Sequence, residues 1–239
     1  MDQNVPGNSG PSTGAGAWLE SSPKLWIFDL DGTLVSAEAG MARVINDLAG
    51  RRGLPPVTRE DLSDLMWNGA VIGDLAKSLF PDQPPEKLTG LANQVFLEYE
   101  RRRHHVLEPF PGIEGLLSRL EQARIPWCIA TNNSTGTALL IANGQGWLQR
   151  ASEVIGVEPG IRPKPMPDMI TQACLRCGVD PSEAVMVGDL MADQEAAQAA
   201  GVPFIQVAWA GQAVHYGLPY ADPVRDVSQL HGLLDRFEV

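Results

Sequence analysis

The chain has 239 residues, 44% of them hydrophobic and 20% charged. A chain of this length buries roughly 70–75% of its unfolded surface without a disulfide or structural metal, and its composition excludes a disordered protein. Eighteen basic against 29 acidic residues give a net charge of −11. That charge repels nucleic acid and anionic membranes at long range, so neither is expected as a partner, but it does not oppose a small anion held by a local metal or lysine.

Three cysteines are too few and too odd in number for a disulfide framework. Cys174 and Cys177 form a CxxC inside a helical pattern, with no second pair or His ligand following, and they read as helix packing rather than a redox or zinc site. No apolar stretch approaches the roughly 18–20 residues of a membrane span. The N-terminus has no basic stretch leading into an apolar run, so no signal peptide is read, and the cytoplasm is the default expectation. Oligomeric state is not legible.

Residues 1–22 are rich in Gly, Ser, Pro and Asn with little to bury, the pattern of a flexible tail. Lys24–Phe28 is then a short apolar run ending in Asp29-Leu-Asp-Gly-Thr33. Residues 36–106 show no strand pattern and read as helices over Glu38–Arg52, Arg59–Leu65, Ile72–Phe80 and Pro85–His105. Three further apolar runs follow, at Pro126–Ala130, Ala184–Val187 and Pro203–Ala208, with a weaker one at Glu153–Val157. Helical patterns at Ile113–Ala123, Gly136–Asn143, Asp168–Cys177, Ala192–Ala200 and Val227–Phe237 separate or follow them.

Short apolar runs alternating with helices predict buried parallel strands covered on both faces. The expected fold is α/β, a doubly wound Rossmann-like parallel sheet, with residues 23–35 and 107–239 as the core and residues 36–106 as a small all-helical cap inserted after the first strand.

In such a sheet, sites collect at the carboxyl ends of the strands. The first strand ends in Asp29 and Asp31, the second in Thr131-Asn132-Asn133, and the third strong run, Ala184–Val187, in Gly188-Asp189 with Asp193 one turn later. The loop after the weak strand carries Arg162-Pro-Lys164-Pro. Asp29 and Asp31, at i and i+2, project to one side of an extended segment, so one can attack while the other handles a proton. Gly32 allows a sharp exit from the strand. Asp189 and Asp193 share a helix face. Hard carboxylate oxygens without His or Cys suit magnesium rather than zinc. Thr131 offers a hydroxyl, and Lys164 a point charge in a loop stiffened by prolines.

Four carboxylates set against Lys164 alone would meet a phosphate dianion with a net charge of about −3, and each unit repulsion at 4–5 Å costs roughly 3–4 kcal/mol at an effective dielectric of about 20. A divalent metal is therefore expected as part of the site.

Asp29-Leu-Asp-Gly-Thr33, Thr131-Asn132, Lys164 and Gly188-Asp-Leu-Met-Ala-Asp193 together resemble the four motifs of the haloacid dehalogenase superfamily. Phe110–Leu116, Arg162–Asp168 and the place of the helical insertion are similar to its phosphoglycolate phosphatase-like branch. The resemblance implies a magnesium-dependent phosphatase acting on small-metabolite phosphate monoesters. Asp29 would be the nucleophile and a metal ligand. Asp31 would be the general acid and base, with its main-chain carbonyl on the metal. Thr131 and Asn132 would orient phosphoryl oxygens, and Lys164 would stabilise the nucleophile and the transferring group. Asp189 would ligate magnesium, with Asp193 supporting it directly, through water or by orienting Lys164. Asp31 sets the chain apart from the superfamily's dehalogenases, which lack a carboxylate there, and from its transport ATPases, which carry Thr. A hexose-phosphate mutase of the beta-phosphoglucomutase type would use the same site and is the alternative. A non-catalytic module would have eroded one of the motifs, and none is eroded.

Outside these motifs, Arg101–His105 reads as a solvated helix end, with contact to an anionic substrate tail as the sharper alternative. Met66-Trp67-Asn68-Gly69 and Trp209-Ala-Gly211 are candidates for a substrate loop and a pocket wall.

Overall fold

A computed structural model describes residues 22–58, 62, 77, 80–209 and 223–236. The expected helices at 59–65 and 72–80 and the loop around Trp67 and Asn68 lie outside these residues, apart from isolated positions.

Five strands form one parallel sheet: β1 (Leu25–Phe28), β4 (Trp127–Ser134), β5 (Glu153–Val157), β6 (Ala184–Gly188) and β7 (Phe204–Gln206). Their order is β5-β4-β1-β6-β7. The central strand β1 runs beside β4 on one side, with Trp26 opposite Trp127, and beside β6 on the other, with Trp26 opposite Val185. The chain leaves β1 for one neighbour and later returns to the other, which opens a crevice at the carboxyl end of β1.

Side chains alternate across the sheet with period two. Trp26 and Phe28 of β1 join a buried cluster with Ile129, Val185, Val187 and the apolar faces of α3 (Ile113–Gln122) and α7 (Val227–Asp235). Leu25 and Ile27 point the other way, into a second cluster with Cys128, Met186 and residues of α5 (Asp168–Cys177) and α6 (Met191–Ala200). All four β1 residues are fully buried, so this strand reads as a continuous apolar run rather than an alternating one. Cys177 approaches Cys128 on β4, with sulfurs 3.5 Å apart, so the CxxC spacing is incidental to the contact that forms.

The cap departs from the core through a feature the sequence does not announce. Val35–Ser36 (β2) pairs antiparallel with Glu108–Pro109 (β3), so a two-residue ladder joins the outgoing and returning chain. Ser36 therefore belongs to a strand, not to a strandless insertion. Ser36 also caps α1 (Ala37–Gly50), its hydroxyl accepting from the Ala39 amide, which starts the helix one residue earlier than the pattern predicts. The long helix α2 (Pro85–Val106) packs on α1. Its buried residues Leu88, Leu91, Val95 and Tyr99 join Val44, Ile45 and Leu48 in the first cluster, so the cap shares one apolar core with that side of the sheet. Near its end α2 passes close to α4 (Thr135–Gly144). A Cβ on Gly144 would overlap the His104 carbonyl oxygen.

Candidate active site

Asp29 follows β1, Thr131 to Asn133 lie within the last half of β4, and Asp189 follows β6. The strand β4 is longer than its apolar run, reaching Ser134 through a register shift against β5. With Lys164 from the loop after β5 and Asp193 from the first turn of α6, Asp29 and Thr131 to Asn133 line a cavity of about 220 Å³, and Asp189 joins Asp29 and Asp193 beside it in one acidic cluster.

Lys164 is the hub. Its Nζ donates to Asp29 Oδ1 at 2.5 Å, to Asp193 Oδ1 at 2.5 Å and to the Ala130 carbonyl at 2.8 Å. An ammonium has three N–H donors, so all are used, and the side chain is 2% exposed. Burial pulls this ammonium down, but Asp29 and Asp193 outweigh it and push its pKa up to about 12. Asn132 fixes the loop that delivers it: Nδ2 donates to the Lys164 carbonyl at 3.0 Å, and Oδ1 accepts from the Lys164 amide at 2.7 Å. The Asn132 side-chain amide thus spends one donor and its oxygen on the Lys164 backbone.

Asp29, Asp189 and Asp193 each offer an oxygen within 4.8 Å of the others. Asp193 is the most committed: Oδ1 takes Lys164 and Oδ2 takes the Leu190 amide at 3.0 Å. Asp189 accepts from the Thr33 hydroxyl at 3.2 Å. Burial, with Asp193 and Asp189 adding repulsion against the pull of Lys164, holds the Asp29 carboxyl well above the usual range. Burial and then Asp193 push Asp189 up to about 7. Crowded carboxylates with hard oxygen donors and uncompensated negative charge are what a divalent cation relieves.

Asp31 stands apart from that cluster. Its Oδ2 accepts from Asn133 Nδ2 at 2.6 Å, and Arg103 Nη2 donates to both oxygens at 3.3 and 3.1 Å. Asn133 Nδ2 also reaches Thr131 Oγ1 at 3.1 Å, tying the second strand end to the first. Two expectations change. The basic run at the end of α2 is not merely solvated: Arg103 turns into the core, whereas Arg102 pairs with Asp47 at the surface. The charge count changes with it. Four carboxylates face two cations, Lys164 and Arg103, leaving two negative charges over rather than three.

Trp209 does not line this cavity. It is buried, and its indole N–H donates to the Thr33 carbonyl at 2.9 Å, bracing the turn after Asp31 from behind. Gly211 lies outside the described residues. The sequence predicts no role at the site for Asn133, and for Arg103 only the contact with an anionic substrate tail weighed for the whole run Arg101–His105; nothing in composition or spacing separates either from its neighbours.

Gly32 and Gly188 are small for steric reasons. Gly32 has φ +85°, and a Cβ there would overlap the Asp189 carboxylate. A Cβ on Gly188 would come within 2.5 Å of the Asp193 side chain. Gly32→Ala is expected to cost at least about 1–2 kcal/mol from the left-handed backbone alone, and to displace Asp189 as well. Gly160→Ala shares the backbone problem, at φ +91°, but has open space around the new methyl. Chemical denaturation should show both variants destabilised, with only Gly32→Ala losing divalent-metal affinity. Equal metal affinity in the two would refute the steric role.

The chain matches the family model described as haloacid dehalogenase-like hydrolase over residues 26–207. A phosphoglycolate phosphatase from Xylella fastidiosa is 34% identical over 187 residues, covering 78% of this chain and 81% of that protein. An N-acetylmuramic acid 6-phosphate phosphatase from Pseudomonas aeruginosa is 28% identical over 179 residues, covering 74% and 78%. Among solved structures, a hydrolase of this family from Deinococcus radiodurans with bound phosphate and sodium superposes with a TM-score of 0.67 at 23% identity, covering 91% of this chain and 97% of that one. That likeness shows a shared fold. With the family's four motifs gathered round one cavity and its model spanning most of the chain, the protein belongs to the haloacid dehalogenase-like hydrolases, in their phosphoglycolate phosphatase-like branch, and is a hydrolase of the phosphatase type.

Proposed function

We propose that the protein is a magnesium-dependent phosphatase that hydrolyses small-metabolite phosphate monoesters through a phosphorylated Asp29. The observation that carries this reading is the buried ammonium of Lys164 held at 2.5 Å from both Asp29 and Asp193, with Asp189 completing an acidic cluster. That arrangement aims one carboxylate into the cavity and supplies positive charge where a phosphoryl group would sit.

In the first half-reaction an Asp29 oxygen attacks phosphorus in line with the ester bond. The phosphorus–oxygen ester bond breaks, and the leaving oxygen takes a proton from the Asp31 carboxyl, so an alcohol departs. In the second, Asp31 accepts a proton from water as that water attacks the phosphoryl group on Asp29, which releases inorganic phosphate and restores both carboxylates to their starting states. Lys164 offsets charge on the transferring group, and the Thr131 hydroxyl and the main-chain N–H groups after it orient its oxygens. Asn132 acts here chiefly by holding the Lys164 loop. Asp193 orients Lys164. Asp29, Asp189 and the main-chain carbonyl of Asp31 would hold the magnesium ion, which offsets phosphate charge and screens the carboxylates from the dianion. Residues 36–106 serve as the cap that selects the leaving group.

A panel of phosphate esters, assayed for released phosphate with and without magnesium, tests the reading. Magnesium-dependent release from small monoesters is expected. Isomerisation of a hexose phosphate without phosphate release would overturn it in favour of a mutase.

A further inference from the structure

Arg103 joins the cap to the one carboxylate at the site that the acidic cluster leaves out. It approaches from α2, the last cap helix before the chain returns to the core, and it does not line the cavity itself. Its side chain is 14% exposed. Nη2 holds both Asp31 oxygens, Nη1 lies 3.5 Å from Glu100 and the guanidinium stands 5.8 Å from the Tyr99 ring centre. The buried Nε makes no hydrogen bond among the described residues, which leaves the guanidinium incompletely satisfied by them.

This resting contact is in tension with proton transfer. Both Asp31 oxygens accept hydrogen bonds, one of them twice. To carry a proton to a leaving oxygen, Asp31 must free an oxygen from these donors. Asn133 is a short side chain anchored on Thr131, whereas Arg103 is a long one reaching across from the cap. Arg103 is the partner able to move. A guanidinium at low exposure leaves a carboxylate readily only for another anion.

The placement says where that anion would be. With Asp29 attacking phosphorus in line, the ester oxygen lies on the far side of phosphorus, next to Asp31, and the atoms bonded to it extend past Asp31 toward α2. We propose that Arg103 is a specificity-determining residue that transfers from Asp31 to an anionic group carried on the leaving-group side of the substrate, one or two carbons from the ester oxygen. The transfer leaves an Asp31 oxygen free of Arg103 and able to face the leaving oxygen. Once the phosphoryl group has also been released to water and Asp31 has given its proton up to solvent, Arg103 returns to the Asp31 carboxylate. Esters lacking the second anion leave Arg103 on Asp31 and react slowly. This inference rests on the reading of Asp31 as proton carrier given above.

The test compares two esters of like size, 2-phosphoglycolate with its carboxylate and 2-hydroxyethyl phosphate without one, in magnesium. The wild-type protein is expected to favour the carboxylate ester in kcat/KM by about 10- to 100-fold, the worth of one charge-assisted hydrogen-bonded pair. Arg103→Gln should collapse that ratio toward one. Arg103→Lys, which keeps the charge but loses the two-pronged contact, should retain part of it. The wild-type ratio decides even if a variant fails to fold. A wild-type protein that hydrolyses 4-nitrophenyl phosphate but prefers neither ester overturns the role of Arg103 alone. A wild-type protein that hydrolyses no ester overturns the phosphatase reading beneath it. A ratio that survives in Arg103→Gln, with both esters slowed alike, would reduce Arg103 to a strut between cap and core.

Discussion

Asp31→Asn is expected to lower kcat/KM for alkyl phosphates by about 10²–10⁴-fold, the usual contribution of general acid catalysis, and to lower it far less for 4-nitrophenyl phosphate. An alkoxide needs a proton to leave and a nitrophenolate hardly does. Asparagine keeps the size of the side chain, but it cannot deliver a proton. The comparison belongs in kcat/KM, which reports phosphorylation from free enzyme and substrate. In kcat the two esters can converge, because in the proposed mechanism Asp31 also serves the step in which water attacks the phosphorylated Asp29. Asp29→Asn should abolish turnover of both esters, since it removes the nucleophile and a carboxylate bonded to Lys164. Equal losses on both esters in Asp31→Asn would mean that Asp31 shapes the site without carrying the proton.

Chelation is expected to remove nearly all turnover, with magnesium restoring it and calcium failing to do so. Calcium takes more ligands at longer and looser distances, which spoils the in-line aim of Asp29. The metal-free protein should also show a pH signature. Asp189 is pushed up to about 7 by burial and by Asp193, above its unfolded value. The metal-free folded state therefore binds more protons than the unfolded state between the unfolded carboxylate range and about pH 7. Its stability should fall as pH rises through that window. Magnesium needs the carboxylates ionised, so its affinity should strengthen over the same window and its binding should release protons near neutrality. Calorimetry in two buffers of different ionisation enthalpy measures the proton release. Full activity in excess chelator, or metal binding without proton release, would refute this account of the cluster.

Much of the architecture and most of the acidic cluster were legible in the sequence. The apolar runs that became β1, β4, β6 and β7 are short and continuous because both faces of a parallel sheet are covered, and the ends of such strands meet at one edge. Asp29, Thr131, Lys164, Asp189 and Asp193 were therefore expected together before any contact was known, and they line or adjoin one cavity. What the tertiary structure decided is where each polar side chain spends its bonds. Asn132 was expected on phosphate, yet its amide braces the Lys164 loop across 32 residues of sequence. Its neighbour Asn133 reaches Asp31 instead, because successive side chains of an extended strand point to opposite faces.

Arg103 was one of three consecutive arginines, indistinguishable by composition. Helical rotation turns only one of them toward the core, and which one depends on how α2 packs on α1. The two-residue ladder of β2 and β3 is too short to leave a pattern, and it exists because the chain crosses itself where the cap begins and ends. Gly32 could be read as a turn residue from its place after Asp31. That it also makes room for the Asp189 carboxylate, 157 positions away along the chain, follows only from folding. Local periodicity carries the elements and their order, whereas contacts between side chains distant in sequence depend on packing angles and rotamers that no short stretch encodes.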